Sequence, residues 1–366
     1  MAMPPTIPEP AIPELIAALG PIFGRGVVVE VRKEGRLSGG GGRAAATLAA
    51  SVAWGSERWE FAAEAKIRST PRVLEEAIAQ SHRRASRLGY LPMVIVPFLG
   101  ARRLEQLEEQ GVSGLDLCGN GFIVVPSRLL LRRTGEPNRY PDSQPTRFAY
   151  RGATSLVPRV FLRRGGYSSV GQVRDEIAAA GGKVAMSTVS KALARMAEDL
   201  IVDRSQGGIS LVQPERLLAE LVEQFTPPKP ERVVQLKAGL SLEELFRRIE
   251  TTGDTAPDFR AALSGASCQD RYSGGLRADV PVVYTDDLDA LKARMGAAWT
   301  PTDRFATLQV IETRDPTPFF DVRADERGVR NASVVQTYLE LATSGDKRDM
   351  EMAQEVQARI LRPTVT

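Results

Sequence analysis

Residues 61–71 read FAAEAKIRSTP. Glu64 and Lys66 stand two apart at the end of this run, and on a strand, where side chains alternate faces, both point the same way. The Thr70-Pro71 pair that follows is a helix start, with a threonine able to cap and a proline suited to the first helical position. Apolar residues at Leu74, Ala77, Ile78, Ala85 and Leu88 carry that helix to Leu88 along one face. The stretch predicts a strand that ends in a neighbouring carboxylate and amine and turns at once into a helix packed over it.

Outward from here, strands and helices alternate. Residues 25–33 (RGVVVEVRK) form a strand by their valines, and 44–55 (AAATLAASVAWG) pairs antiparallel with 57–68 through a turn at Gly55-Ser56. A short helix over 13–23 precedes them. The apolar run 90–98 (YLPMVIVPF) suits a buried parallel strand, a helix covers 102–110, and 113–126 (SGLDLCGNGFIVVP) supplies a strand or a strand pair. The expected result is a three-layer α/β domain over residues 1–135.

This order, with Glu-x-Lys closing the third strand, resembles the restriction-endonuclease-like fold of metal-dependent nucleases. The resemblance implies a second carboxylate on the preceding strand, because two are needed to hold magnesium beside the attacking water. Residues 44–55 contain no acidic side chain and offer only Thr47 and Ser51 as polar groups. Glu30, Glu60 and Asp116 are the carboxylates that could stand in. Glu64 and Lys66 are therefore read as vestiges of a catalytic pair, and no catalytic residue, metal or cofactor is expected.

A chain of 366 residues, 43% hydrophobic and with a formal charge of +3, is long for one domain and divides into two or three. Its proline-rich start lacks the basic and apolar regions of a secretory signal, and no stretch approaches membrane-spanning length, so a cytoplasmic protein without membrane contact is expected. Cys118 and Cys268 stand far apart without other soft ligands, which argues against a disulfide framework or a zinc cluster. His82 is the one histidine and lies in a run of arginines on the helix after Pro71, so a Ser-His-Asp triad is not expected. The glycines at 39–42 are followed by Arg43 rather than by the Lys-Ser/Thr of a phosphate-binding loop, and read as a flexible connection.

Residues 127–164 carry nine arginines against Glu136 and Asp142, with Tyr140, Phe148 and Tyr150 interleaved. Prolines and polar residues mark 136–153 as a basic linker, and Arg132, Arg133 and Arg147 are candidates for phosphate contacts. From 154 to 226 the spacing is helix, helix, helix, hairpin: a winged helix-turn-helix. A helix over 158–164 ends at Gly165-Gly166, a second runs from the Ser169 cap to Gly181-Gly182, and a third begins at Ser187. Val189, Ala192, Leu193 and Met196 form the buried stripe of the third, leaving Ser187, Thr188, Lys191 and Arg195 on its outer face. Gln206-Gly207-Gly208 turns a hairpin as the wing, with Gln206 a further candidate for DNA. The segment MSTVSKALARMAEDLIVDR (186–204) looks like bacterial winged-helix regulators, and that resemblance places Ser187, Thr188, Ser190, Lys191 and Arg195 at the groove.

Residues 227–366 give a helix over 242–249, a strand over 279–287, a helix over 288–295, strands at FATLQVIET and PFFDVR, and a helical end. The whole order resembles bacterial proteins grouped with AbiEi-type antitoxins of type IV toxin–antitoxin systems, on AEAKIRS, GLDLCGNGFI, the winged helix, ALSGASC and VVQTYLEL. The resemblance implies a C-terminal nucleotidyltransferase-like α/β domain, whose active members follow Gly-Ser with paired acidic residues on a strand. Here SGAS (264–267) precedes Cys268-Gln-Asp-Arg, and Asp286, Asp287 and Asp289 open a helix, where acidic residues serve capping. The expectation is an α/β multidomain, DNA-binding transcriptional regulator of antitoxin-like, autorepressing type. Its partners would be double-stranded DNA, with a cognate toxin protein and a homodimer left open; a nuclease aimed by its winged helix and a protein-binding scaffold are the rival readings.

Overall fold

The computed structural model describes residues 12–19, 21–24, 26–33, 48–140, 147–205, 207–250, 259–273 and 280–362. The glycine run 39–42, Thr47 and Gln206 lie outside them, as does the side chain of Arg147. The chain is a mixed α/β protein that divides into two compact units, residues 1–146 and 147–366. The expected boundary at 226/227 falls inside the second. Among the described residues no helix is long and apolar enough to cross a membrane.

The first unit runs α1 (Ile12–Ala18), β1 (Val27–Lys33), β2 (Leu48–Trp54), β3 (Glu57–Ala65), α2 (Pro71–Leu88), β4 (Leu91–Val96), α3 (Ala101–Glu109), β5 (Ser113–Asp116), β6 (Gly121–Val125) and β7 (Leu129–Arg133). All seven strands join one sheet in sequence order, antiparallel at both edges and parallel from β3 through β5. α2 and α3 are the crossovers that parallel pairing requires, and they cover one face with Leu74, Ala77, Ile78, Leu104 and Leu107 against Val94 and Val96. α1 covers the other, where Ile12 and Ile16 meet Phe61, Met93, Ile95 and Leu115. α2 has the expected ends: Thr70 Oγ1 accepts from the N–H of Val73, Pro71 opens it, and Gly89 closes it in the left-handed conformation. Leu88 was expected on its buried stripe but is 42% exposed, at the last turn where the stripe has drifted off the sheet. The first helix ends at Ala18 rather than near 23, because residues 22–23 form a turn before β1.

The second unit opens with 3-10 turns at 147–150, inside the stretch read as a linker, and at 152–155, across its end. Then come α4 (Leu156–Arg163), β8 (Gly166–Tyr167), α5 (Val170–Ala179), α6 (Met186–Glu198), β9 (Val202–Asp203), β10 (Ile209–Leu211) and α7 (Pro214–Glu223). β8, β10 and β9 form a small antiparallel sheet in that order. The remainder is β11 (Arg232–Leu236), α8 (Leu242–Glu250), β12 (Ala261–Leu263), α9 (Gln269–Tyr272), β13 (Val282–Thr285), α10 (Leu288–Met295), β14 (Leu308–Glu312), β15 (Arg323–Ala324), β16 (Arg330–Asn331), α11 (Val334–Ala342) and α12 (Lys347–Leu361). Its six strands are ordered β11-β14-β13-β12-β16-β15 in a mixed sheet, with α8 and α10 packed on one face. Residues 318–323, expected as a strand, instead form a 3-10 turn at Thr317–Phe319 that leads into β15, because Pro318 cannot donate to a ladder. The helices α4 to α7 do not close a core alone. Their apolar stripes share one with Phe320, Val335, Tyr338, Leu339, Leu341, Ala353 and Val356, and Arg159 donates to Gln336 Oε1 at 2.7 Å.

Candidate nucleic-acid interface

α6 has two distinct faces. Val189, Leu193 and Met196 are fully buried and Ala192 nearly so, as the 3.6-residue period requires. Ser187, Ser190, Lys191 and Ala194 are exposed, and Thr188 is half-buried. The helix begins one residue earlier than expected, at Met186, with Ala185 in the capping position and no side-chain cap. Its first N–H groups lack the side-chain partner that helix starts commonly have, so the positive end of the helix is presented beside Ser187. α5, by contrast, is capped by Ser169 Oγ accepting from the N–H of Gln172.

Arg195 departs from its expected place on the free face. Its Nε lies 2.6 Å from Asp199 Oδ2, its side chain is 14% exposed and that of Asp199 is 2% exposed. Tyr150, in the turn at 147–150, donates its hydroxyl to the same oxygen at 2.8 Å. Burial raises the Asp199 carboxyl above its ordinary range, with Arg195 and Tyr150 pulling the other way. The cause is positional: at i, i+4 from Asp199 the guanidinium folds back along the helix to compensate a buried charge. Arg195 is thus a structural cation that fixes the end of α6 to the turn before α4.

β9 and β10 pair antiparallel after α6, and between them Gly207 takes the left-handed region. Asp203 accepts from the Ser205 N–H and hydroxyl at 2.9 and 2.8 Å, which fixes the ascending side of the turn. Arg204, directly after β9, is exposed and was not singled out from the sequence, although it stands three residues before the glycine pair that signals the turn.

The arginines of 127–164 do not form a free cationic stripe. Arg132 lies 3.0 Å from Glu108 and 3.6 Å from Glu105 on α3, and Arg133 pairs with Glu136 at 2.7 Å while donating to the Ile22 carbonyl. Arg139 donates to the Cys118 carbonyl, Arg159 is buried, and Arg163 pairs with Glu176 and Asp321. Part of the local excess of arginine is answered by carboxylates, for Arg132 and Arg163 from outside the run and for Arg133 from Glu136 within it, while Arg159 and Arg164 make no such pair among the described residues.

Glu64 and Lys66 do come together, on the sheet face that α2 covers. Lys66 Nζ donates to Glu64 Oε1 at 2.8 Å and to Gln80 Oε1, on α2, at 2.7 Å. The carboxylates that could join them are engaged. Arg58 reaches Glu30, Glu60 and the Ser51 hydroxyl, and Arg32 also pairs with Glu60. Asp116 is fully buried and accepts from the N–H groups of Leu99, Cys118, Gly119 and Asn120 and from the Asn120 amide, building the turn between β5 and β6 in which Gly119 takes φ +107°. Burial raises its pKa against those hydrogen bonds. Among the described residues no group of three His, Cys, Asp or Glu is arranged to hold a metal. His82 is exposed, and Cys118 and Cys268 are buried free thiols.

The SGAS loop of the second unit is packed shut against α11. A Cβ on Gly265 would lie 2.7 Å from Thr337 Cα and 2.8 Å from its nitrogen, and the Ala266 N–H is taken by Glu340. Asp286 pairs with Arg260, Asp287 caps α10 by accepting from the Ala290 N–H, and Asp289 pairs with Arg232. Compared with protein-family models, curated proteins and solved structures, the chain gives no match.

Proposed function

We propose that residues 147–225 act as a winged helix-turn-helix that lays α6 in the major groove of duplex DNA, and that the protein is a DNA-binding regulator. The observation that carries this reading is the two-sidedness of α6: one face is sealed in the core, while the other offers two serines and a lysine beside an uncapped helix start. Lys191 can reach a guanine edge or a phosphate, and Ser187, Thr188 and Ser190 can bond phosphates or base edges. Arg204, exposed directly after β9, replaces Arg195 as the cation proposed to reach the backbone, and Gln206 remains a candidate.

On this reading the seven-stranded unit is a restriction-endonuclease-like scaffold. The ion pairs that hold Glu30 and Glu60 and the turn built on Asp116 favour it over a working two-carboxylate centre. The six-stranded sheet is read as nucleotidyltransferase-like, and the role as an antitoxin-like autorepressor with a toxin partner, working as a homodimer, completes the proposal. The test is a fluorescence-anisotropy titration of the full chain with duplex DNA from upstream of its own gene, against scrambled duplex, for the wild type and Lys191→Ala/Ser190→Ala. Preferential binding lost in the double variant supports the reading; equal binding by a folded double variant refutes the groove contact.

A further inference from the structure

A cleft of about 350 Å³ opens in the second unit between α4, α9, α11, α12 and the start of β15. Six arginines line it, Arg159, Arg163 and Arg164 from α4 and its end, Arg271 from α9, Arg323 from β15 and Arg359 from α12, against the carboxylates of Glu176 and Asp321. Both carboxylates are occupied by cations of the cleft itself. Arg163 pairs with Glu176 at 3.3 Å and with Asp321 at 3.4 Å, and Arg323 shares Asp321. Arg164, Arg271, Arg359 and Arg159 have no carboxylate within ion-pair distance among the described residues. A concentration of like charge repels itself unless a counter-charge is supplied.

Arg159 is the informative member. It is 2% exposed, and its Nη1 donates to the neutral Gln336 amide while its Nε has no hydrogen-bond partner among the described residues. Burial lowers its pKa to about 10. Glu340, bonded to the same Gln336 at 2.7 Å, and Asp315 offset its charge from beyond ion-pair distance, so the guanidinium still carries a desolvation penalty that an anion in direct contact would offset further. Beside it, Ser333 Oγ accepts from the Gln336 N–H at the start of α11, and Val334 and Val335, in the first turn whose N–H groups have no partner within the helix, also line the cleft. The outer cations are held in place: Arg271 and Arg359 lie 5.8 and 5.5 Å from the Tyr272 ring centre, and the Tyr272 hydroxyl is tied to the Ala332 carbonyl at 2.8 Å. Leu162, Phe320 and the two valines give the wall an apolar share, so the space suits more than a bare ion. Its volume is at the lower end of small-molecule sites, about 300–1,000 Å³.

We propose that this cleft binds a small organic molecule carrying two or more linked phosphates, with one phosphate against Arg159 and the first turn of α11 and the others against Arg164, Arg271 and Arg359. Bidentate guanidinium forks and free helix N–H groups match phosphate oxygens in both geometry and charge. The site is separate from the face of α6 proposed for DNA, since no α6 residue lines it, and it does not rest on that reading.

The experiment is a calorimetric titration of the full chain with inorganic tripolyphosphate, with sodium sulfate at matched ionic strength as the control. Wild type should bind tripolyphosphate at least about tenfold tighter than sulfate, and Arg271→Ala/Arg359→Ala, on the surface of the cleft, should weaken it by about tenfold or more, as for lost charge-assisted hydrogen bonds. Arg159→Lys, which keeps the charge but removes the fork, should weaken it too, while Lys191→Ala should leave it unchanged. Far-UV circular dichroism checks that each variant is folded. Binding no tighter than sulfate, or unaltered by the paired substitution, overturns the proposal. So does a wild type indifferent to tripolyphosphate whose duplex DNA binding is lost in Arg271→Ala/Arg359→Ala, which would assign the cleft to a nucleic-acid backbone.

Discussion

Arg195→Ala should destabilise the second unit far more than Lys191→Ala, although both are cationic residues one turn apart on α6. Removing Arg195 leaves Asp199 buried with the Tyr150 hydroxyl as a remaining partner. Breaking a buried pair from one side costs roughly 3–5 kcal/mol, and the surviving hydrogen bond puts this case near the lower figure, about 3 kcal/mol. For a unit spanning Arg147–Thr366, each kcal/mol moves the midpoint by about 2–4 °C, so the loss should be about 6–12 °C. Lys191→Ala, on an exposed site, should stay within about 0.5 kcal/mol of wild type. The assay is thermal unfolding followed by Trp299 fluorescence in a Trp54→Phe/Trp59→Phe background, where it is the one remaining indole and reports on this unit. Acidification supplies a second check. The Asp199 pKa is already raised in the fold by burial, so its ionised form is the one that costs stability, and that cost is absent below the unfolded carboxyl range and grows as pH rises through the folded pKa. Loss of Arg195 raises that pKa further. The gap between wild type and variant should therefore be widest at about neutral pH and narrow toward about pH 4. Adding Asp199→Asn to Arg195→Ala should recover part of the loss by removing the unpaired charge. Coincident melting of Arg195→Ala and Lys191→Ala at neutral pH would refute the buried-pair account.

Lys191→Ala should leave the fold intact while removing roughly 1–3 kcal/mol of specific binding if it contacts a base, measured by anisotropy on upstream duplex. Arg132→Glu/Arg133→Glu should leave the salt dependence of DNA binding unchanged, since both side chains are held by Glu105, Glu108 and Glu136; a drop in slope of about 0.9 per residue would show phosphate contact instead. Gly265→Ala should cost about 1–3 kcal/mol in a denaturant melt, because the new methyl meets the backbone of α11 rather than a side chain that can move. Purified protein should not cut duplex DNA with magnesium or manganese, and cutting abolished by Glu64→Ala would reverse that expectation.

The elements with strong local punctuation were legible in the sequence. α2 was bounded to the residue by Thr70, Pro71 and its apolar period, and α10 by Asp287 at its start. The buried stripe of α6 followed from its period alone. What stayed hidden depends on partners distant in sequence. β8 is two residues long, too short for any alternation, and exists because β10 pairs with it. The i, i+4 spacing of Arg195 and Asp199 was visible, but nothing local says that Tyr150, 49 residues before Asp199, buries the carboxylate and draws the arginine inward. The basic run misled for the same reason: charge along the chain is not charge in space, and Glu105 and Glu108 lie well upstream of the arginine they neutralise. Arg159 sits in an apolar helix stripe, and its hydrogen-bond partner there, Gln336, which is itself bonded to Glu340, lies 177 residues further along the chain.

That separation also bears on when the protein can become functional during its own synthesis. At roughly 5–20 residues per second, a ribosome needs roughly 9 to 35 s to add the 177 residues between Arg159 and Gln336. Over that interval α4 to α7 have been made but lack Val335, Tyr338 and Leu339, with which they share a core. Pairing over such sequence distances is slow to nucleate. Until then the apolar residues that α4 to α7 share with α11 and α12 stay open to chaperones or to a neighbouring polysome, although the groups that tie α6 to Tyr150 through Asp199 have all been made. A truncation that removes α11 and α12 is, for the same reason, expected to uncover the core they share with α4 to α7 rather than to excise an independent module.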